Sequence, residues 1–502
     1  MQIQAESILD KRTALAPDIS ASSTKVLLLS LLSRANRLLD VWLPEVYLVI
    51  ALFVACLYAC ITPPFFGTDE AAHSMRALQI SHGTFVAHRT SEGQGDHLDS
   101  GFASTAHYFL DLVIQDLHRP YHDRRIPRIL AEEINSQRGM RWSGQSIFVS
   151  FPQTRLYPPT FYIPWSIGWR IGEAENFTIT HSLLLARICG LTFAVVIGWA
   201  ALRLAKGCRL SLAAILLIPT TLSLVGICSQ DPFIIGCFAI AVATLSRPLA
   251  QKRLPLLWEL GLAGFALCAC GMARPPYAMF LFCLVLPAFE LRLYDWRSLL
   301  PSLGVASVGI AIDAAWSFAV KPLGVLVSPG AQPSAQIQFL SNHPFLGTGY
   351  ILRGLLRAIP ILGSGIASAA SSDVRPPLVL VFLVLCVVGL ILLSEQDVSL
   401  RALASRILVI SVCIGCAASM AFANYLICTV PGAHAVDGLS FRYFIPLLLM
   451  ATFFCGVNIP ALGPLRRPCF LVLILLDASL PLIYSHIFYA RGLLAAMRLI
   501  CS

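Results

Sequence analysis

Residues 68–83 hold the densest set of side chains able to do chemistry: Thr68-Asp69-Glu70-Ala71-Ala72-His73-Ser74-Met75-Arg76-Ala77-Leu78-Gln79-Ile80-Ser81-His82-Gly83. Two carboxylates, an imidazole and a guanidinium can together accept a proton, orient its acceptor and hold an anion. Pro63 and Pro64 end the apolar run before them, because proline lacks the backbone donor and clashes with the preceding turn. Thr68 or Asp69 is then placed to cap a new helix, and Gly83 to stop it. In that helix Asp69, His73 and Arg76 stand at i, i+4 and i+7 on one face. Two readings follow: Asp69 is an N-cap on a helix with solvated charges, or it is a catalytic carboxylate with Glu70 and His73 as neighbours and Arg76 on the substrate.

Other polar positions recur at the ends of apolar runs. Ser229-Gln230-Asp231-Pro232 offers either a helix cap or a site carboxylate. Arg274-Pro275-Pro276-Tyr277 puts a cation in a turn, for anion binding or headgroup contact. Gly438-Leu439-Ser440-Phe441-Arg442-Tyr443-Phe444 sets an arginine among aromatics, suited to bidentate phosphate binding or to snorkelling. Asp231, Arg274, Tyr277, Arg442 and Tyr443 are therefore the candidate substrate-binding residues. Asp313 and Asp477 lie inside apolar runs, where insertion costs about 2.5–3.5 kcal/mol and a partner or a wet cavity is required; Arg187 is one candidate partner of Asp313. The loop histidines His73, His82, His88, His97, His107, His118 and His122 form no HxxxH and no compact His/Cys cluster. No metal ligands are assigned, and a divalent metal ion is left open.

The elements that must position these groups are membrane spans. With 57% hydrophobic and 13% charged residues in 502, the composition excludes a soluble enzyme, a nucleic-acid binder and a disordered scaffold. Apolar runs near 20 residues match a ~30 Å hydrocarbon core. They fall at roughly 44–61, 181–203, 210–228, 231–247, 255–272, 276–293, 299–320, 376–394, 404–427, 441–458 and 468–486. The sixteen cysteines lie mostly inside these runs, without a CxxC pair, so neither a disulfide framework nor a zinc ribbon is indicated.

Charge sets the orientation. If the short run 157–172 does not cross, the basic clusters at 203–209, 247–253, 292–297, 401–406 and 466–467 share the side of Lys11, Arg12, Lys25, Arg34 and Arg37, as the positive-inside rule requires. The expectation is an all-α polytopic membrane protein with about 11 transmembrane helices, N-terminus cytoplasmic. Residues 1–43 form a cytoplasmic amphipathic segment. Residues 44–320 form a seven-span module including the first outer loop, 62–180; 321–375 form a second outer loop; and 376–502 carry the C-terminal spans. No internal repeat is visible; 157–172 is expected as an interfacial or re-entrant helix, and both long loops lie outside the cytoplasm.

The residues resemble a family. Pro-Pro-Phe…Asp69-Glu70…His73…Arg76-Ala77…Gln79-Ile80…Gly83 resembles the opening signature of bacterial membrane proteins with domain of unknown function 2142. Tyr157-Pro158-Pro159…Tyr162…Pro164…Gly168, Ser229…Asp231, the basic residue before Tyr277, and Arg442-Tyr443-Phe444-Ile445-Pro446 follow in order. Thr68, Ala71 and Ser440-Phe441 depart from that pattern. The family is similar to GT-C type membrane glycosyltransferases, which implies a GT-C-like seven-span module, interfacial helices on the two outer loops and a catalytic acid on the first.

The resemblance implies a polyprenyl-phosphate-linked sugar as donor, an envelope glycan or lipid as acceptor, and a bacterial inner membrane with the site facing the periplasm or exterior. Asp69 would then be the base, Arg442 and Arg274 the phosphate ligands, and Asp231 a positioning group. Two rival readings stand beside it: a transporter or flippase of a lipid-linked glycan, which needs polar groups near the midplane, and a non-catalytic partner in envelope polysaccharide assembly. Membrane lipids are partners in all three, nucleic acid in none.

Overall fold

The computed structural model describes residues 41–118, 133–134, 136–321, 327–328, 330–368, 377–394, 400–453 and 465–490. The amphipathic segment expected ahead of residue 41 lies outside the described residues. Helix α1 (Val41–Ile61) runs up to Pro63-Pro64. After a turn come α2 (Glu70–Ser81), β1 (His88–Thr90), β2 (Gly93–Asp99), α3 (Ser100–His118) and β3 (Ser146–Ser150). A 3₁₀ turn at Pro159–Tyr162 leads into α4 (Ile163–Ala174) and α5 (Ile179–Leu204). Then follow α6 (Arg209–Leu216), α7 (Pro219–Val225), α8 (Asp231–Gln251) and α9 (Leu257–Ala273). A 3₁₀ stretch, Pro275–Val285, continues into α10 (Leu286–Glu290), followed by α11 (Trp296–Val320), α12 (Pro333–Asn342), α13 (Pro344–Gly365), α14 (Leu378–Ser394) and α15 (Leu403–Ile427). A last 3₁₀ turn at Phe441–Tyr443 precedes α16 (Ile445–Ala451) and α17 (Arg466–Ala490).

Of the eleven expected spans, six coincide, among the described residues, with helices long and apolar enough to cross a membrane: α1, α5, α8, α11, α15 and the Arg467–Tyr484 part of α17. Leu257–Ala273, Pro275–Glu290 and Leu378–Leu393 are apolar but shorter. The run 210–228 is broken into α6 and α7, because Ile218 takes the extended backbone (φ −54, ψ 134) that a following proline imposes. The run 441–458 is helical over Ile445–Ala451, and its end lies outside the described residues.

The helical expectation holds, with one small sheet added. Within the first polar block β2 pairs antiparallel with β1 and with β3. Gly95 permits this close pairing: a Cβ there would lie 1.8 Å from the Val149 carbonyl oxygen. Asp99 locks the sheet to α3, its Oδ1 accepting from Phe102 N at 3.0 Å and its Oδ2 from the Ser143 and Gly144 amides at 2.9 Å each. The second polar block, 321–375, contains α12 and α13 among its described residues.

Packing places the pieces that matter. At 12 residues, α4 is about 18 Å long, too short to cross a ~30 Å core by itself. It lies against α5 through small residues: a Cβ on Gly168 would come within 2.4 Å of the Ala186 Cα. α4 in turn supports α2, where Ser166 Oγ donates to the Ala77 carbonyl at 2.7 Å. α8 packs against α5, α9 and α16, which gathers the start of α8, the end of α9 and the turn before α16 at one end of the bundle.

Candidate functional site

α2 begins with an unusual backbone. Asp69 occupies the N-cap position in the left-handed region (φ 56, ψ 16) and its side chain makes no capping bond. Aspartate tolerates that region better than most residues, at a cost of order 1–3 kcal/mol. The consequence is a carboxylate turned away from its own helix. Its Oδ2 accepts from Arg442 Nη2 at 2.5 Å, so the capping reading of Asp69 does not hold.

Arg442 links two acids. Its Nη1 lies 3.4 Å from Asp231 Oδ2, while Arg274 Nη2 lies 2.7 Å from Asp231 Oδ1. Asp231 is the first residue of α8, Gln230 holds the N-cap position, and Asp231 Oδ2 accepts from Ser229 Oγ at 3.3 Å. Tyr443 closes the group: Arg274 sits 4.4 Å and Arg442 5.2 Å from its ring centroid. Tyr277 OH donates to the Tyr443 carbonyl at 2.9 Å, fixing that backbone. Two carboxylates and two guanidiniums from four separate segments thus form one alternating chain, Asp69–Arg442–Asp231–Arg274.

Exposure differs along that chain. The Asp231 side chain is 1% exposed, those of Arg442 and Arg274 are 9% and 14%, and that of Asp69 is 47%. Asp69 is therefore the member a solute can reach. Burial works to raise its carboxyl, but the charge and hydrogen bond of Arg442 outweigh it and hold it below the usual carboxylate range. Both guanidiniums are held above their usual range despite burial, chiefly by Asp231 for Arg274, and by Tyr443, Asp231 and Asp69 for Arg442. Arg442 Nε is buried with no hydrogen-bond acceptor, a donor left over for one more oxygen atom.

His73 lies one turn beyond Asp69. Burial lowers it to about 4, so its ring is neutral at physiological pH. A 2.7 Å hydrogen bond joins its Nδ1 to the hydroxyl of Tyr162, and its ring stacks on Tyr157 and Tyr162 at centroid distances of 6.0 and 5.8 Å. Burial keeps the Tyr162 phenol protonated. The two tyrosines stand in the Tyr157-Pro158-Pro159…Tyr162 stretch and were not among the expected site residues. Their signal was the proline pair, which produces the 3₁₀ turn that aims both rings at α2.

Two expected site residues turn elsewhere. Glu70 is fully buried and accepts from Arg187 Nε and Nη2 at 2.7 Å each, and from the Cys228 amide at 2.9 Å. Arg187 also donates to the carbonyls of Ala59, Thr62 and Pro63 at 2.8, 2.7 and 2.9 Å. The pair ties the end of α1 and the start of α2 to α5. Arg187 is therefore not the partner of Asp313, which instead accepts from Cys268 Sγ at 3.4 Å. Arg76 donates to Gln79 and to the carbonyls of Phe85 and Tyr157, so its guanidinium fixes the loop around Tyr157 and is not turned to Asp69. Asp477 is buried in α17, away from this group. Among the described residues no three His, Cys, Asp or Glu side chains gather as a metal site, and the Asp69 and Asp231 carboxylates are occupied by arginines.

A family model described as "Predicted membrane protein (DUF2142)" matches residues 52–451, which include every member of the cluster. No curated protein and no solved structure matches the chain.

Proposed function

The chain belongs to the DUF2142 family of predicted membrane proteins, and from that premise we propose that it is a GT-C-like glycosyltransferase. It moves a sugar from a polyprenyl-phosphate donor to an envelope glycan or lipid at the outer face of a bacterial inner membrane. The observation that carries this reading is the chain Asp69–Arg442–Asp231–Arg274, which sets one reachable carboxylate beside two buried guanidiniums.

The chemistry requires those parts. The acceptor hydroxyl oxygen forms a bond to the anomeric carbon and its proton passes to Asp69. The bond from that carbon to the phosphate oxygen breaks, and its electron pair stays on the phosphate, which leaves on the polyprenyl chain. Charge growing on that oxygen is met by Arg442 and Arg274, already oriented by Asp231. Arg442 offers its unpartnered Nε first. As a phosphate draws the guanidinium, Asp69 loses part of its counter-charge and becomes a stronger base. Donor binding thereby switches on the base. Neutral His73, held by Tyr162, keeps a polar but uncharged wall beside the acceptor oxygen. Replacing Asp69 with asparagine and assaying transfer from polyprenyl-phosphate sugars tests this reading; undiminished transfer refutes it.

A transporter would put its charged pairs near the midplane. Here they cluster at helix ends, and among the described residues neither Asp313 nor Asp477 makes an ion pair.

A further inference from the structure

The segment 321–375 is expected to form a polar outer loop with interfacial helices, and α13 within it presents an apolar face to the outside. Phe345, Leu352, Leu356 and Ile359 are 93%, 56%, 57% and 58% exposed. Their spacing of seven, four and three places them along one side of the helix. Arg353 and Arg357, also exposed, follow Leu352 and Leu356 and flank that side.

The opposite side of α13 is packed at Tyr350, Gly354 and Gly365. A Cβ on Gly354 would lie 2.4 Å from Val436, and one on Gly365 would lie 2.3 Å from Phe441, the residue before Arg442. Tyr350 meets His434 edge-on at 4.6 Å. The helix also packs on α14 and α15. The outward sides of those two carry exposed apolar side chains, as at Leu378, Phe382, Ile407 and Ile414. The apolar face of α13 is thus continuous with faces that belong in lipid.

We infer that α13 is an interfacial lipid-binding helix, its apolar face in the acyl region of the bilayer and Arg353 and Arg357 on anionic headgroups. A contiguous exposed apolar patch marks an interaction surface, and an amphipathic helix with basic flanks is suited to an anionic lipid surface. Continuity with α14 and α15 selects lipid over a protein partner. Because Gly365 lies under Phe441, the lipid surface reaches the turn that carries Arg442. The inference does not depend on the proposed transfer reaction and is read out without it.

The test uses the full chain in nanodiscs of mixed phosphatidylcholine and phosphatidylglycerol. A p-benzoylphenylalanine residue is placed at 352, at 356 or, as lipid-facing control in α14, at 382. After irradiation, intact mass and gel mobility identify the adduct. The expected result is phospholipid adducts at 352 and 356 as at 382. Arg353→Gln and Arg357→Gln should each lower the phosphatidylglycerol preference of those adducts by up to about fivefold. Lipid adducts at 382 with none at 352 and 356 overturn the inference, as do cross-links to a second copy or another protein there. An unchanged phosphatidylglycerol share in the arginine variants overturns the headgroup role.

Discussion

Arg442 Nη2 lies 2.5 Å from Asp69 Oδ2, across 373 positions of sequence. This contact joins the first polar block to the turn before α16 and leaves Asp69 the most open acid of its cluster. Arg442→Lys keeps the charge but loses the planar fork that spans Asp69 and Asp231. It should weaken donor binding at least tenfold, and Arg442→Glu should abolish it. Binding of a radiolabelled polyprenyl-phosphate sugar to purified protein measures both. Normal binding by Arg442→Glu would remove the phosphate role.

Glu70 and Arg187 should behave as structural residues. Removing one partner of a buried pair leaves an uncompensated charge and costs about 3–5 kcal/mol. Glu70→Gln and Arg187→Met are expected to lower the thermal midpoint markedly and to reduce the yield of folded protein. Asp69→Asn, at an open carboxylate, should leave the midpoint near wild type. Size-exclusion thermostability in detergent separates the two classes. Equal destabilisation by all three would contradict the division of roles.

The low affinity of His73 for protons makes stability pH-dependent. In the unfolded chain histidine titrates near 6.5, and in the fold near 4. Between these values the unfolded state binds the extra proton. The contribution is therefore complete above pH 6.5 and is lost as pH falls towards 4, by about 3 kcal/mol in all. Unfolding midpoints of wild type and His73→Gln at pH 7 and pH 4.5 check this. The variant should lose less stability on acidification; an equal loss would assign the effect to other groups.

Gly168 should reject a side chain. Its missing Cβ faces the Ala186 backbone, and α4 carries the support for α2. Gly168→Ala is expected to cost about 1–3 kcal/mol as overpacking, and Gly168→Leu to prevent folding. Wild-type stability of Gly168→Leu would mean that α4 and α5 do not pack as described.

Much of this arrangement was legible beforehand. Asp231, Arg274 and Arg442 stood out as polar groups in apolar surroundings, and the structure brings them together with Asp69. Two expectations around α2 did not hold. Glu70 was expected beside the Asp69 carboxylate, but as the next residue it leaves the helix about 100° away, towards α5. Arg76 was placed on the face of Asp69, but the left-handed turn at Asp69 takes that residue out of the helical repeat. Arg187 was matched to Asp313 because both lie in spans, whereas its guanidinium reaches Glu70 and three carbonyls at the end of α1. The role of Tyr162 was hidden, since a tyrosine in an apolar run reads as an interfacial anchor. The small sheet was missed because Gly93 and Gly95 weaken any strand pattern; here Gly95 permits close backbone approach and Gly93 makes room for the Ser150 side chain.

The central claim is that Asp69 accepts the acceptor proton while Arg442 and Arg274 hold the leaving phosphate. Transfer from a panel of polyprenyl-phosphate sugars in proteoliposomes, wild type against Asp69→Asn, tests it most directly. The account predicts transfer from at least one donor by wild type, about 10²–10⁴-fold less by the variant, and donor binding no weaker than wild type. Full transfer by Asp69→Asn would contradict it.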